Sequence, residues 1–193
     1  MFKNILFILV VATFIGCGEQ QTATTSNKDL INFNKPFKSE LLSAINKARS
    51  EPRDCHNGLG LIAPSQPLIW NEDLYASAYE HSSDLAYSNT FDHLGSGTKY
   101  DITGSNLDKK SLFFERIEAN GYVNYHIVGE NIAGGQSSVE EVMKALLNSP
   151  KHCANIMNPD YQEVGISIVV NPDSEYGIYW TQNFGGKKIT FLN

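Results

Sequence analysis

The 193-residue chain is 41% hydrophobic and 19% charged, with a formal net charge of −6. That balance excludes collagen-like, coiled-coil and wholly disordered chains, leaves enough apolar residues for one core, and disfavours nucleic acid and other polyanionic partners. The one long apolar run, Ile5 to Ile15, has 11 residues where a bilayer-spanning helix needs roughly 20, so no transmembrane helix is expected.

In chain order, Lys3, the apolar run and Gly16 ahead of Cys17 follow the charged, apolar, small-residue order of a secretory leader. Residues 1–16 are therefore expected to be removed on export, which takes Lys3 away and leaves a charge of −7. Phe14-Ile15-Gly16-Cys17 resembles a bacterial lipobox, with Phe14 in place of the usual Leu. The resemblance implies cleavage before Cys17, lipidation of Cys17, and a body tethered to a membrane on the extracytoplasmic side of a bacterial envelope. Two or more acyl chains anchor stably, at about 0.8 kcal/mol per buried methylene. A lipidated Cys17 leaves Cys55 and Cys153, an even pair in an oxidising compartment, and these are expected to form a disulfide. The competing reading makes Cys153, beside His152, a thiolate nucleophile.

Residues 17–36 are polar and small after Cys17 and read as a tether, with a single domain over 37–193. Leu41, Leu42, Ile45 and Ala48 at helical spacing predict a helix from near Ser39 to Ser50, ended by Pro52. Asn71, followed by Glu72 and Asp73, caps a second helix carrying Leu74, Ala78 and Leu85 and stopping before Asn89. Leu112, Phe113 and Ile117 predict a third helix that ends at Gly121. A capping box from Ser138 to Glu141 opens a fourth, which buries Val142 and Leu146 or Leu147, and Ser149-Pro150 starts a short fifth. Val164, Ile166, Ile168 and Val170 then alternate as a strand, with a return strand over Tyr176 to Phe184. A weaker strand is expected over Tyr125 to Val128, and Gly185-Gly186 leads towards a short fourth. Helices first and antiparallel strands last indicate an α+β layered domain without a parallel-sheet signature.

The Gly-x-Ser-x-Gly elbow, the His-Glu-x-x-His helix, the Walker loop and the EF-hand loop are all absent. What remains is a set of histidines and one glutamate in turn-like contexts. With Pro67-Leu-Ile-Trp-Asn71, His81-Ser-Ser-Asp-Leu-Ala86, Phe91-Asp-His93, Ala119-Asn-Gly-Tyr122, Gly129-Glu-Asn-Ile-Ala-Gly134, Asn148-Ser-Pro-Lys-His152, Ala154-Asn-Ile-Met157 and Tyr179-Trp-Thr-Gln182 in this order, the chain resembles the CAP superfamily of cysteine-rich secretory, antigen 5 and pathogenesis-related proteins. Its bacterial secreted, SCP-like branch fits best. The resemblance implies a three-layer α/β/α sandwich around a central antiparallel sheet, with a cleft lined by His93, Glu130, Asn131 and His152. Many eukaryotic members carry a second glutamate before the second histidine. Here that neighbourhood reads Ala145-Leu-Leu-Asn148-Ser149 and has no acid.

His93, His152 and Glu130 could hold Zn²⁺ or another divalent cation with one position open, since two imidazoles and a carboxylate are ordinary ligands. Without metal, the same groups hydrogen-bond one another and organise the cleft. They are the candidate catalytic, ligand-binding and metal residues, and no cofactor is certain. The plain reading makes His93 a satisfied histidine under a loop and Glu130 a buried acceptor tying down its turn. His81 reads as a core histidine on a helix face, His56 and His126 as loop residues, Glu163 as an edge acid in reserve, and Asn155 as a brace beside His152. Three functions remain open: an envelope protein whose cleft binds a lipid or peptide, a metal-assisted peptidase or esterase, and a structural envelope protein.

Overall fold

The computed structural model describes residues 27–187, with side chains from Phe37 onward. The leader, the lipobox and Cys17 lie outside the described residues. Helix α1, Asn27–Arg49, buries Leu41, Ile45 and Ala48 as their spacing predicts. It begins twelve residues ahead of the expected start at Ser39. The expectation took Pro36 as lying before the helix because a proline lacks the N–H of an interior turn, whereas the helix runs through it.

Two short strands, β1 (Arg53–Asp54) and β2 (Leu61–Ile62), form a small antiparallel pair. Strand β3, Ile69–Trp70, leads directly into α2, Glu72–Ser88. The Asn71 side chain caps α2 by accepting from the Asp73 and Leu74 amides at 2.9 and 3.0 Å, and Asn89 closes it at φ 55°. A single-turn α3, Ile102–Asn106, has no counterpart in the sequence reading: its N-cap is Asp101 and it is too short to show a period. Helix α4 covers Phe113–Ala119, followed by Gly121 at φ 102°, the left-handed position expected of it.

Strand β4 runs over Tyr125–Gly134, well past the predicted end at Val128, and so includes Glu130 and Asn131. His126, expected in a loop, lies in this strand. Its Nδ1 meets the Lys187 carbonyl oxygen at 3.1 Å. Helix α5, Val139–Asn148, is capped by Ser138 Oγ, which accepts from the Glu141 amide at 3.2 Å, and buries Val142 and Leu146, leaving Leu147 half-buried. Helix α6, Pro150–Met157, starts on its proline. Strands β5 (Glu163–Val170) and β6 (Ile178–Lys187) complete the domain, with Gly185 and Gly186 inside β6. A Cβ at Gly185 would overlap the Tyr122 ring, so only glycine lets the strand continue there.

The main sheet has the order β3-β5-β6-β4. Its three long strands are antiparallel, as expected, and β3 adds a two-residue parallel edge on β5, too short to leave a signature in the sequence. Helices α2, α3 and α4 lie on one face and α1, α5 and α6 on the other, giving the α/β/α sandwich. Alternation in β5 and β6 sorts the two cores. Val164, Ile166, Trp180 and Phe184 point to α1, α5 and α6, whereas Val169 and Tyr179 pack with Leu85 and Ala86 of α2. Gly165 lets α2 lie directly on β5, where a Cβ would overlap the backbone of Leu74 and Tyr75.

Two long-range ties fix α6. Arg49, fully buried, donates to the carbonyl oxygens of Ile156 at 2.6 Å, Asn158 at 2.9 Å, Gln66 at 2.9 Å and Tyr161 at 3.3 Å. Burial lowers its pKa to about 10, so it stays charged at neutral pH opposite the carbonyl end of α6. The expected disulfide joins Cys55 to Cys153 across 98 positions with the Cα atoms 5.5 Å apart. Replacing both cysteines by alanine is expected to cost about 2–5 kcal/mol of folding stability, the ordinary range for a native bridge. Urea denaturation of the two proteins measures it, and equal midpoints would refute it.

Candidate functional site

Among the described residues β4 is an edge strand of the main sheet, and it touches α4 of one helical layer and α5 and α6 of the other. Neighbouring residues on a strand face opposite ways. Glu130 therefore faces the α2 and α4 layer, and Asn131 faces α6. The carboxylate of Glu130 is only 1% exposed and is enclosed by three elements. The loop after α2 contributes His93, whose Nδ1 lies 3.0 Å from Oε1. Helix α4 contributes Arg116, whose Nη2 donates to Oε1 at 3.2 Å and Oε2 at 2.9 Å. Helix α2 contributes His81, whose Nε2 stands 3.7 Å from Oε1 and 3.0 Å from the carbonyl oxygen of Asp92. The neighbours of Asn183 fix its amide orientation: the oxygen accepts from Ser77 Oγ and the Ala78 amide, and the nitrogen donates to Glu130 Oε2 at 3.3 Å.

Arg116 is buried and held in turn. Its Nη1 donates to the carbonyl oxygen and Oγ of Ser111 at 3.2 and 2.9 Å, and its Nη2 donates to the carbonyl oxygen of His93 at 2.9 Å. Ser111 is fixed by Asp101, which accepts from its Oγ at 2.6 Å and its amide at 3.1 Å. Burial works against the ionised form of Glu130, but the charges of His81 and Arg116 and the hydrogen bonds from His93 and Arg116 outweigh it and hold the carboxyl at about 2. His81 is itself lowered to about 4, chiefly by burial. It is therefore neutral at pH 7, and the standing positive charge beside Glu130 is that of Arg116.

On the other face, Asn131 is fully buried and spends its amide internally. It donates to Gln182 Oε1 at 3.1 Å and to the carbonyl oxygen of His152 at 3.3 Å, and accepts from Asn155 at 2.9 Å. Asn155 also donates to the Glu130 carbonyl oxygen at 3.2 Å, the bracing role expected of it. His152 is partly exposed. Its pKa is lowered by burial first and then by the charges of His93 and Lys151.

His93 and Glu130 are thus in direct contact, while His152 meets Asn131, the next residue of β4, through its carbonyl oxygen. Glu163 is a structural acid, accepting from Asn71 and from the Tyr122 hydroxyl at 2.9 and 2.8 Å. Sequence reasoning missed Arg116 and the contact of His81 with Glu130. The signal for Arg116 was an arginine at helical spacing with Phe113 and Ile117, on a stripe that the helix buries. Among the described residues, no group of three or more His, Cys, Asp and Glu side chains has the geometry to hold a metal ion. No described helix is long and apolar enough to cross a membrane.

A family model for CAP, the cysteine-rich secretory protein family, matches residues 42–184. The chain belongs to that family. Among relatives, this CAP chain is 38% identical over 122 residues to YkwD of Bacillus subtilis (strain 168), spanning 63% of this chain and 40% of YkwD. It is 28% identical over 117 residues to the membrane protein YlbC of the same organism, spanning 61% of this chain and 28% of YlbC. It therefore spans well under half the length of either relative. Two solved structures share its fold. An extracellular SCP-domain protein of Bacillus anthracis str. Ames aligns at TM-score 0.56 and 23% identity over 77% of this chain and 40% of that one. An outer surface protein of Borrelia burgdorferi aligns at 0.60 and 22% over 80% and 96%.

The buried charges of the CAP domain set its response to acid. Because His81 has a lower pKa folded than unfolded, its contribution to stability is fully present above the unfolded value near 6.5 and is lost as pH falls towards about 4. The slope is at most about 1.4 kcal/mol per pH unit for one proton. The contribution of Glu130 is present above the unfolded value of about 4.3 and is lost only as pH falls through about 2. Denaturant titrations at pH 7, 5.5 and 4.5 are expected to show the first loss, and His81→Gln, which retains an N–H for the Asp92 carbonyl, to flatten it. An unchanged slope in the variant would refute the assignment. Arg116→Met strands an ionised carboxylate and is expected to cost about 3–5 kcal/mol at pH 7. A cost below 1 kcal/mol in the same titration would refute the pairing.

Proposed function

We propose that this chain is a lipid-anchored CAP protein on the extracytoplasmic side of a bacterial envelope, held by Cys17, and that its His93 and His152 cleft binds a lipid or peptide ligand through hydrogen bonds. The contact between His93 Nδ1 and Glu130 carries the reading of the cleft. A carboxylate only accepts, so Nδ1 bears a proton, and in the neutral form of the half-exposed ring Nε2 presents its lone pair. His152 offers a second imidazole from the opposite layer. Asn131 holds the carbonyl oxygen of His152, and Asn155 holds Asn131.

The envelope location is supported by the leader and lipobox resemblance, by a disulfide suited to an oxidising compartment, and by the extracellular and outer-surface descriptions of the two structural relatives. A hydrolase would require a nucleophile or an activated water at the same cleft.

Mass spectrometry of membrane-extracted protein is expected to find an acylated N-terminal Cys17. An unmodified Cys17 in the mature protein would remove the anchor. Immobilised full chain, exposed to a bacterial total-lipid extract and separately to a peptide digest, is expected to retain molecules that His93→Ala and His152→Ala each retain at least tenfold less. Equal retention by all three would refute the cleft. Cleavage of p-nitrophenyl esters or casein peptides that is lost in His93→Ala would replace binding with hydrolysis.

A further inference from the structure

We infer that Arg116 takes up the lone pairs of Glu130 that a metal ion would need, so that Glu130 is a positioning residue for His93 and ligates no cation in the cleft. An ionised carboxylate has about four lone-pair sites, and here three donor nitrogens surround its two oxygens, with Arg116 Nη2 in reach of both. Oε1 receives His93 Nδ1 and Arg116 Nη2 at 3.0 and 3.2 Å. Oε2 receives Arg116 Nη2 and the Asn183 amide at 2.9 and 3.3 Å. The guanidinium cannot swing aside without also breaking its bonds to Ser111, which Asp101 holds in place. A divalent cation brought to Glu130 would have to displace these donors while approaching a fixed, water-excluded positive charge. The set of His93, Glu130 and His152 therefore does not fit a metal through its carboxylate.

The same pair determines how His93 is presented. Its carbonyl oxygen accepts from Arg116 and its Nδ1 donates to Glu130, so the residue is clamped at backbone and ring together. The neutral ring is left in one tautomer, with Nε2 as an acceptor for a hydroxyl or amide N–H of whatever fills the cleft. Any divalent ion there would be confined to His93 Nε2 and His152. This inference stands on the geometry around Glu130 and holds whether the cleft binds a ligand, turns one over, or does neither.

Nitrogen-15 and carbon-13 NMR of the full chain in detergent at neutral pH, with and without millimolar zinc, tests it. The His93 ring is expected as the Nδ1–H tautomer, with neither that proton nor the Glu130 carboxyl carbon altered by zinc; any zinc-dependent change should appear at Nε2. Loss of the Nδ1 proton or a zinc-dependent shift of the Glu130 carboxyl would overturn the inference. In Glu130→Gln the amide has a single acceptor oxygen, which Arg116 claims, so its NH₂ group faces His93 and the ring is expected to switch to the Nε2–H tautomer. A ring that stays Nδ1–H in that folded variant would show that Glu130 does not set the tautomer, and would overturn its positioning role.

Discussion

An ionised carboxylate carried on the inner face of a sheet has to bring its countercharge with it, because water is excluded and the cost of leaving the charge alone is several kcal/mol. In this CAP domain Glu130 and Arg116 meet that requirement, and much of the surrounding architecture can be read as the means of bringing them together. β4 delivers the carboxylate, α4 delivers the guanidinium, and Asp101 orients it through Ser111. A buried pair of this kind contributes little net stability compared with apolar residues of the same size, yet it is costly to break. The pair ties α4 to β4, and through the ring and carbonyl oxygen of His93 it ties both to the loop after α2.

The fold was largely legible because its signals are periodic. Leu41, Ile45 and Ala48, the Asn71 and Ser138 caps, and the alternation from Val164 to Val170 each repeat or punctuate on the scale of the element they form. What was missed lacks that scale. α3 is one turn long and β3 is two residues. The extension of β4 through Glu130 and Asn131 places polar residues where an apolar alternation would be expected, since both side chains are buried by satisfying other polar groups. The candidate site was legible only as motifs. His93, Glu130 and His152 lie in separate segments, and family resemblance rather than spacing groups them. Arg116 escaped because a charged residue in a helix is normally read as solvent-facing, and its burial is explained only by a partner fourteen positions away on a different element.

The two candidate imidazoles sit on separately packed layers. His93 belongs to the layer built on α2 and α4, with its core of Leu74, Ile117 and Tyr122. His152 belongs to the layer of α1, α5 and α6, with the larger core around Ile45, Leu146 and Ile156. The two imidazoles share β4 as their common reference, through Glu130 on one face and Asn131 on the other. β4 itself is held in register with β6 at nine positions.

The clasp made by Arg49 bears on the order in which the chain can assemble. Its acceptors on Ile156, Asn158 and Tyr161 lie 107 to 112 positions downstream. A chain synthesised from its N-terminus completes α1 long before any of those carbonyls exists, and until then the guanidinium must remain hydrated. Contacts of such long sequence separation close late, because the entropy of the intervening loop is surrendered before the contact repays it. The disulfide spans a comparable interval, 98 positions, and fastens to the same helix. The helix that carries His152 is thus fastened to the first third of the chain by contacts that only a nearly complete chain can make.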